Sequence, residues 1–157
     1  MPAKIKIALG ADHAGFPLKE KVREYLEDRG LEVEDHGPQS TERVDYPDSA
    51  EKVATRVAAK QADYGVLVCG TGLGMAMAAN KIPGIRAATC NDTLSAFFAR
   101  SHNDANVLAL GGRLVDAATA QKIVDTWLST PFEGGRHARR VEKIARIDLD
   151  HHSERTP

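Results

Sequence analysis

The stretch Tyr64-Gly65-Val66-Leu67-Val68-Cys69-Gly70-Thr71-Gly72-Leu73-Gly74 decides the fold class. Its first half is a near-continuous apolar run, which is typical of a central strand covered by other elements on both faces. Its second half places glycine at alternate positions and leads into an apolar segment that suits a helix. A buried strand followed at once by a glycine-rich turn and a helix indicates a parallel α/β sheet.

The same alternation of short apolar runs and helical periods continues on both sides of this stretch. The predicted strands cover Ile5–Leu9, Leu31–Val33, Tyr64–Val68, Ile85–Thr89 and Val107–Leu110. Between and after them we expect helices from Pro17 to a C-cap at Gly30, from a cap at Asp48 or Ser49 to about Lys60, after the glycine-rich loop, over about Thr93–Ser101 and over about Ala117–Leu128. The prediction is a three-layer α/β/α, Rossmann-like sandwich with a five-stranded, mostly parallel sheet.

An additional C-terminal helix is predicted from His137 to about Asp150, beyond the last strand. No crossover between strands needs this helix, and Val141, Ile144 and Ile147 give it apolar positions. We therefore expect residues 134–150 to pack on a partner subunit and residues 151–157 to form a polar tail. We expect residues 1–157 to form a single domain, because a chain of this length buries roughly 70% of the surface of its unfolded form.

The composition excludes several classes of function. Lys and Arg total 21 against 22 Asp and Glu, so no global positive charge is present to bind nucleic acid or an anionic membrane. The apolar runs are far shorter than the roughly 20 residues of a membrane span, and no signal peptide is recognisable. We expect a cytoplasmic protein. Cys69 and Cys90 form no CxxC pair and have no histidines at zinc spacing, so we predict no metal site.

The residues with chemical potential follow the predicted strands. In a parallel sheet, ligands bind at the carboxyl ends of the strands. The segments at those ends are Gly10-Ala11-Asp12-His13, Asp35 to Asp45-Tyr46-Pro47, Cys69 to Gly74, Asn91-Asp92 and Gly111-Gly112-Arg113. The sequence therefore predicts a site at this edge of the sheet.

The loop from Cys69 to Gly74 suits a small anion, because its backbone N–H groups converge beside a helix N-terminus. It is neither the GxGxxG fingerprint nor a Walker loop, which disfavours a nucleotide. A tight turn without a ligand is the alternative. The same environment favours a thiolate at Cys69, which could act as a nucleophile or a proton acceptor. Cys90 follows a strand without such a loop and fits a small core residue.

Three further sets of residues could take part. Asp12 and His13 could bind hydroxyl groups or orient a phosphate, although Asp12 could equally cap a helix. His102 ends a predicted helix, whose dipole suits it to donate a proton. Arg136 and Arg140 lie one turn apart, and Arg113 could join them around a phosphate. A solvated basic face is the alternative for these arginines, and a frayed tail is the more natural interpretation of His151-His152.

Long motifs in this order resemble ribose-5-phosphate isomerase type B, within the ribose/galactose isomerase superfamily. The resemblance covers nearly the whole chain. Its motifs are Gly10-Ala11-Asp12-His13-Ala14-Gly15, Asp45-Tyr46-Pro47, Cys69-Gly70-Thr71-Gly72, Ala79-Asn80-Lys81, Gly84-Ile85-Arg86-Ala87, Ser101-His102-Asn103-Asp104-Ala105-Asn106-Val107, Gly111-Gly112-Arg113 and Gly134-Gly135-Arg136-His137.

The resemblance implies a cofactor-free and metal-free homodimer or tetramer that interconverts ribose 5-phosphate and ribulose 5-phosphate, with active sites between subunits. It implies that Cys69 is the base that moves a proton between C2 and C1 and that His102 assists ring opening. It also implies the substrate contacts: Asp12, His13 and Asn103 on the sugar, Gly70, Thr71, Gly72, Leu73 and Gly74 on the enediolate, and Arg113, Arg136 and Arg140 on the phosphate. One branch of the family has a glutamate base where this chain has Met75, so the chain resembles the cysteine branch.

Two alternatives to this function remain at the sequence level. The superfamily includes isomerases of hexose 6-phosphates such as allose and galactose phosphates, and one extra carbon changes only the depth of the pocket. A non-catalytic sensor of sugar phosphates with the same fold is the alternative from another class, since fold alone does not establish activity.

Overall fold

The computed structural model describes residues 3–152 and contains a five-stranded sheet. The strands are β1 (Lys6–Ala11), β2 (Glu32–Asp35), β3 (Tyr64–Cys69), β4 (Ala87–Thr89) and β5 (Val107–Gly111). The helices are α1 (Phe16–Asp28), α2 (Tyr46–Ala58), α3 (Leu73–Ala79), α4 (Thr93–Ser101), α5 (Ala117–Ser129) and α6 (Arg136–His152). The strand order is β2-β1-β3-β5-β4, and all four neighbouring pairs are parallel. The predicted α/β class is confirmed, and the sheet is parallel throughout.

Helices cover both faces of the sheet and form a separate core on each. Alternate strand residues point to opposite faces. On one face, Val66 and Val68 pack with apolar residues of α1, α4 and α5, including the fully buried Trp127. On the other face, Leu67 and Cys69 pack with residues of α2 and α3. The apolar run at β3 is thus explained by burial on both sides.

Backbone hydrogen bonds join the loops at the carboxyl ends of β1, β3 and β5. Asp12 N–H donates to the Val68 carbonyl at 3.1 Å, and Gly112 N–H donates to the Cys69 carbonyl at 2.7 Å. Gly15 allows α1 to pass over the end of β3, since a Cβ at this position would lie 2.0 Å from the Val68 carbonyl oxygen. These contacts hold the three loops as one rigid surface.

The start of α2 differs from the prediction. The helix begins at Tyr46 with Asp45 as its N-cap residue, rather than after a cap at Asp48 or Ser49. Proline at the first turn is compatible with a helix because its missing N–H has no partner there in any case. Asp48 instead lies in the first turn, and the helix ends at Ala58, before Lys60 at φ 60°.

The remaining differences lie at strand and helix ends. β1 extends to Ala11, β2 shifts to Glu32–Asp35, and β4 shortens to Ala87–Thr89 because the Arg86 N–H bonds to the Asn106 side chain instead of a strand. The predicted polar tail is wrong at its start, since α6 continues through His152, whose Nδ1 lies 2.9 Å from the Asp148 carbonyl oxygen. Residues 153–157 lie outside the described part of the chain. No helix within residues 3–152 combines the length and the apolar character needed to cross a membrane.

Candidate active site

The first set of candidate residues lies at the carboxyl ends of the strands, and we call it the strand-end group. It comprises Asp12, His13, Cys69, Gly70, Thr71, Gly72, Leu73, Gly74 and Arg113. Cys69 is the last residue of β3 and pairs with Gly111 of β5. The group therefore occupies the centre of the sheet edge, where ligands bind in parallel α/β folds.

The Cys69 thiol is held at the base of the glycine-rich loop. The side chain is buried, and its Sγ accepts a hydrogen bond from the Gly72 N–H at 3.1 Å. Gly72 has a φ of 81°, a left-handed conformation that glycine adopts without strain, and α3 begins at the next residue. This hydrogen bond holds the sulfur next to the loop amides, so a ligand bound in the loop would lie beside the thiol.

Two side chains from the end of β4 hold the carbonyl groups of this loop. Asn91 donates from Nδ2 to the Thr71 carbonyl at 3.1 Å, and its Oδ1 accepts the Gly111 N–H at 2.8 Å. Thr89 donates from Oγ1 to the Gly72 carbonyl at 3.0 Å. Fixing the carbonyl groups in this way leaves the loop amides oriented as donors for a developing negative charge.

The other strand-end residues lie around this loop. Asp12 is buried, and its Oδ1 accepts the Gly15 N–H at 2.8 Å within the turn before α1. The N-cap residue of this helix is Gly15, so Asp12 is not its N-cap. His13 Nδ1 lies 3.2 Å from the Val44 carbonyl oxygen. The Arg113 guanidinium lies over Gly70, since a Cβ there would be 3.2 Å from Nη1. Its positive charge is therefore next to the loop.

A second set of residues, which we call the helix-end group, lies where α4 ends and α6 begins. It comprises His102, Asn103, Glu133, Arg136, His137 and Arg140. The rings of His102 and His137 stack with centroids 4.0 Å apart and planes 12° apart. Glu133 lies beside both rings, and its N–H donates to the Ser101 carbonyl at 3.0 Å.

The two groups lie at opposite ends of the sheet within one chain. The Asn103 carbonyl accepts a hydrogen bond from Arg86 Nε at 3.1 Å, and Arg86 directly precedes β4. The helix-end group is therefore near the amino ends of β4 and β5, whereas Cys69 is level with the carboxyl end of β5. The four steps from Val107 to Gly111 along β5 alone span about 13 Å.

Within one chain, the three arginines therefore do not surround one point. Arg113 belongs to the strand-end group, while Arg136 and Arg140 belong to the helix-end group. The cause is the direction of α4, which starts at the carboxyl end of β4 and must return to the amino end of β5 because these strands are parallel. The residues that follow α4 therefore lie at the amino ends of the strands, at the opposite end of the sheet from Cys69.

Burial distinguishes Cys90 from Cys69. The pKa of the Cys90 thiol is raised to about 12, first by burial and then by the negative charge of Asp92. Cys90 therefore remains a protonated thiol at neutral pH, consistent with its interpretation as a core residue.

The environment of His137 keeps its ring neutral. Burial lowers the pKa of His137, and the nearby charges of His102, Arg136 and Arg140 lower it further, while Glu133 acts in the opposite direction. A neutral imidazole retains one nitrogen lone pair, which can accept a hydrogen bond or bind an electrophile.

Sequence reasoning assigned no role to four residues that the structure places in these groups. Asn91 and Tyr46 adjoin the strand-end group, and a Cβ at Gly74 would lie 2.7 Å from the Tyr46 ring. Glu133 and His137 adjoin His102. Asn91 stands in a segment predicted to lie at the binding edge because it follows a strand, but the sequence assigned it no role of its own. Glu133 lies in a loop, and no sequence signal connects it to His102.

The chain matches known proteins over most of its length. The family model described as Ribose/Galactose Isomerase matches residues 7–144. Ribose-5-phosphate isomerase B of Escherichia coli strain K12 is 52% identical over 143 residues, which cover 91% of this chain and 96% of that protein. D-erythrulose-4-phosphate isomerase of Pectobacterium atrosepticum is 45% identical over 141 residues, covering 89% and 93%.

Solved structures agree with this similarity. The structure of Clostridium thermocellum ribose-5-phosphate isomerase B has a TM-score of 0.92 at 51% identity and covers 94% of this chain and 99% of that chain. The Mycoplasma genitalium enzyme, solved with bound ribulose 5-phosphate, has a TM-score of 0.91 at 42% identity, with coverage of 95% and 99%. The resemblance read from the motifs is confirmed, and the chain belongs to the ribose/galactose isomerase family.

Proposed function

We propose that the protein is an aldose-ketose isomerase that interconverts D-ribose 5-phosphate and D-ribulose 5-phosphate without a cofactor. The observation that carries this proposal is the buried Cys69 Sγ, which accepts the Gly72 N–H at the base of a loop of oriented amides. The names of the E. coli and C. thermocellum relatives support the choice of substrate.

Cys69 is the proposed base. Its thiolate takes the proton from C2 of the open-chain aldose and returns it to C1, so one group placed over a cis-enediolate performs both transfers. Thr71 and the amides of Gly70 and Gly74 stabilise the negative charge on the enediolate oxygens, while the Gly72 N–H donates to Cys69. Removal of one such donor typically costs about 3–4 kcal/mol of transition-state stabilisation.

The helix-end group supplies the remaining proposed roles from a partner subunit. His102 assists opening of the furanose ring, Asn103 contacts the sugar, and Arg136 and Arg140 bind the phosphate together with Arg113 of the first subunit. This division follows from the separation of the two groups within one chain by the length of the sheet. A homodimer or tetramer whose α6 crosses to its neighbour would bring the groups together. The phosphate is remote from the reacting carbons, so its binding energy holds the sugar in place for proton transfer.

The test is proton NMR of ribose 5-phosphate with the protein in D₂O. We expect ribulose 5-phosphate to form and deuterium to enter the exchanging carbon. Cys69→Ala should fold and bind substrate but lose turnover by several orders of magnitude, because the alanine side chain cannot take a proton. The matched control is Cys90→Ala, which removes the other cysteine and should keep turnover within a few-fold.

A panel of substrates separates the alternatives. Allose 6-phosphate, galactose 6-phosphate and erythrulose 4-phosphate should each give a lower kcat/KM than ribose 5-phosphate. The four-carbon sugar is included because the P. atrosepticum relative is named for it. A higher kcat/KM for any of them would transfer the proposal to that substrate. Binding of ribose 5-phosphate without conversion or proton exchange would favour the sensor.

A further inference from the structure

Two histidines and a glutamate converge in the helix-end group around a buried nitrogen. The His137 side chain is 6% exposed, and its Nε2 is buried without a hydrogen-bond partner. This atom lies 3.5 Å from Glu133 Oε2, and His102 Nε2 lies 4.0 Å from the same oxygen. The ligand atoms of the three residues all lie within 4.8 Å of one another.

We propose that His102, Glu133 and His137 form a binding site for a divalent transition-metal ion of the Zn²⁺ type. Two imidazole nitrogens and one carboxylate oxygen are a common ligand set for zinc with a fourth position left open. Zinc bonds of 2.0–2.2 Å in a tetrahedron place the ligand atoms about 3.3–3.5 Å apart. The Glu133–His137 separation of 3.5 Å already fits this geometry.

His102 is the ligand that has to move. Nearly parallel rings direct their lone pairs side by side, so the His102 ring must turn out of its stack to share an ion with His137. Its side chain is 31% exposed and that of Glu133 is 47% exposed, which leaves both free to adjust around the buried His137.

The surrounding charges determine how tightly the ion binds. Glu133 attracts the cation, whereas Arg136 and Arg140, whose charges reach His137, repel it. We therefore infer an ion that binds reversibly rather than a permanent structural ion. Its effect on turnover rests on the proposed function: an ion bound to His102 occupies the side chain assigned to ring opening, and so it inhibits the isomerase.

Zinc binding is measured by calorimetry on protein stripped with EDTA, so the test does not depend on activity. The wild type should bind one zinc ion per chain, and the binding should be reversible. Glu133→Gln keeps the shape of the side chain and removes its charge. It should weaken zinc at least tenfold, since loss even of groups that only support metal ligands costs 10–100-fold in affinity.

Three controls exclude other zinc sites. Asp148→Asn alters a histidine–carboxylate pair in which Asp148 Oδ1 lies 3.3 Å from His152 Nδ1 and which has no third ligand among residues 3–152. This variant, His151→Ala and Cys69→Ala should each bind zinc like the wild type. Equal affinity of Glu133→Gln and the wild type would overturn the proposal, and so would loss of the site in any of the three controls.

An activity measurement then tests the inhibition. Zinc should inhibit the wild type, and EDTA should restore its rate. Inhibition is expressed relative to the zinc-free rate of each variant, and Glu133→Gln should need at least tenfold more zinc than the wild type for the same fractional inhibition. Equal sensitivity to zinc would contradict the inference. If ribose 5-phosphate is not converted at all, the proposed function fails, while the calorimetric result still decides the metal site.

Discussion

At the scale of single residues, the two cysteines show how position sets chemistry. Both follow apolar strand segments and both are buried. Cys69 Sγ accepts the Gly72 N–H of the loop that follows it, whereas burial and the negative charge of Asp92 raise the pKa of the Cys90 thiol. The difference arises from the loop that follows each cysteine rather than from the strand that precedes it.

The raised pKa of Cys90 predicts a loss of stability at alkaline pH. Above pH 9.0, the ordinary value for a thiol, the unfolded chain releases the Cys90 proton, while the folded chain holds it up to about pH 12. The free energy of unfolding should therefore fall as pH rises in this range, by about 1.4 kcal/mol per pH unit from this group. Urea unfolding at pH 9.5 and 10.5 should show a smaller fall for Cys90→Ala, and equal falls would contradict the assigned pKa.

At the scale of elements, β4 supports the glycine-rich loop of residues 69–74 through its carboxyl end. This strand has three residues and lies at the edge of the sheet, so it adds little to the core. Thr89 and Asn91 nevertheless reach the carbonyl groups of residues 72 and 71. The strand thus acts mainly by orienting the loop of its neighbours.

Asn91→Ala should lower kcat by about ten- to hundredfold with little change in KM, because the loop amides lose alignment toward the transition state rather than toward bound sugar. Asn80→Ala is the matched control. Like Asn91, Asn80 donates to one backbone carbonyl and accepts from one backbone N–H, and both of these groups belong to Ala87, where β4 begins.

Steady-state kinetics and thermal unfolding of both variants check this prediction. Each loses two hydrogen bonds, so both should lose stability by roughly 1–3 kcal/mol. A decrease in kcat that is the same for Asn80→Ala and Asn91→Ala would mean that stability alone accounts for the effect.

At the scale of the whole molecule, the parallel topology divides the candidate site. Cys69 and His102 lie at opposite ends of the sheet, because α4 returns the chain to the amino ends of the strands. Helix α6 begins next to His102 and carries exposed apolar residues, among them Ile144, Ile147 and Leu149. These features favour an assembly in which each site takes residues from two copies.

Mixing two inactive variants tests this division. In a dimer, one site of each Cys69→Ala/His102→Ala heterodimer contains both wild-type residues if the two groups come from different subunits. Half of the randomly mixed dimers are heterodimers, so activity should return to about one quarter of the wild-type value. Turnover is measured after the mixed subunits have been exchanged in mild denaturant. Absence of any recovery, with exchange shown by mass spectrometry, would place both residues in one subunit.

The sequence alone was sufficient to predict the parallel sheet and the edge at which the strand-end group lies. Apolar runs, glycine punctuation and helical period are local signals, and the rule that parallel strands end at one edge converts them into a site. The start of α2 was misjudged because the residues around Pro47 allow a helix to begin at more than one point. These possible starting points of α2 have similar local energies, so contacts with neighbouring elements decide between them.

Only the tertiary structure separated His102, Arg136 and Arg140 from Cys69 and placed Glu133 beside two stacked histidines. The residues in these arrangements are far apart in sequence. Their relative positions depend on the direction in which each helix crosses the sheet and on the position of the loop before α6. Sequence periodicity records which face of an element is buried, but it carries no information about which loops meet at that face.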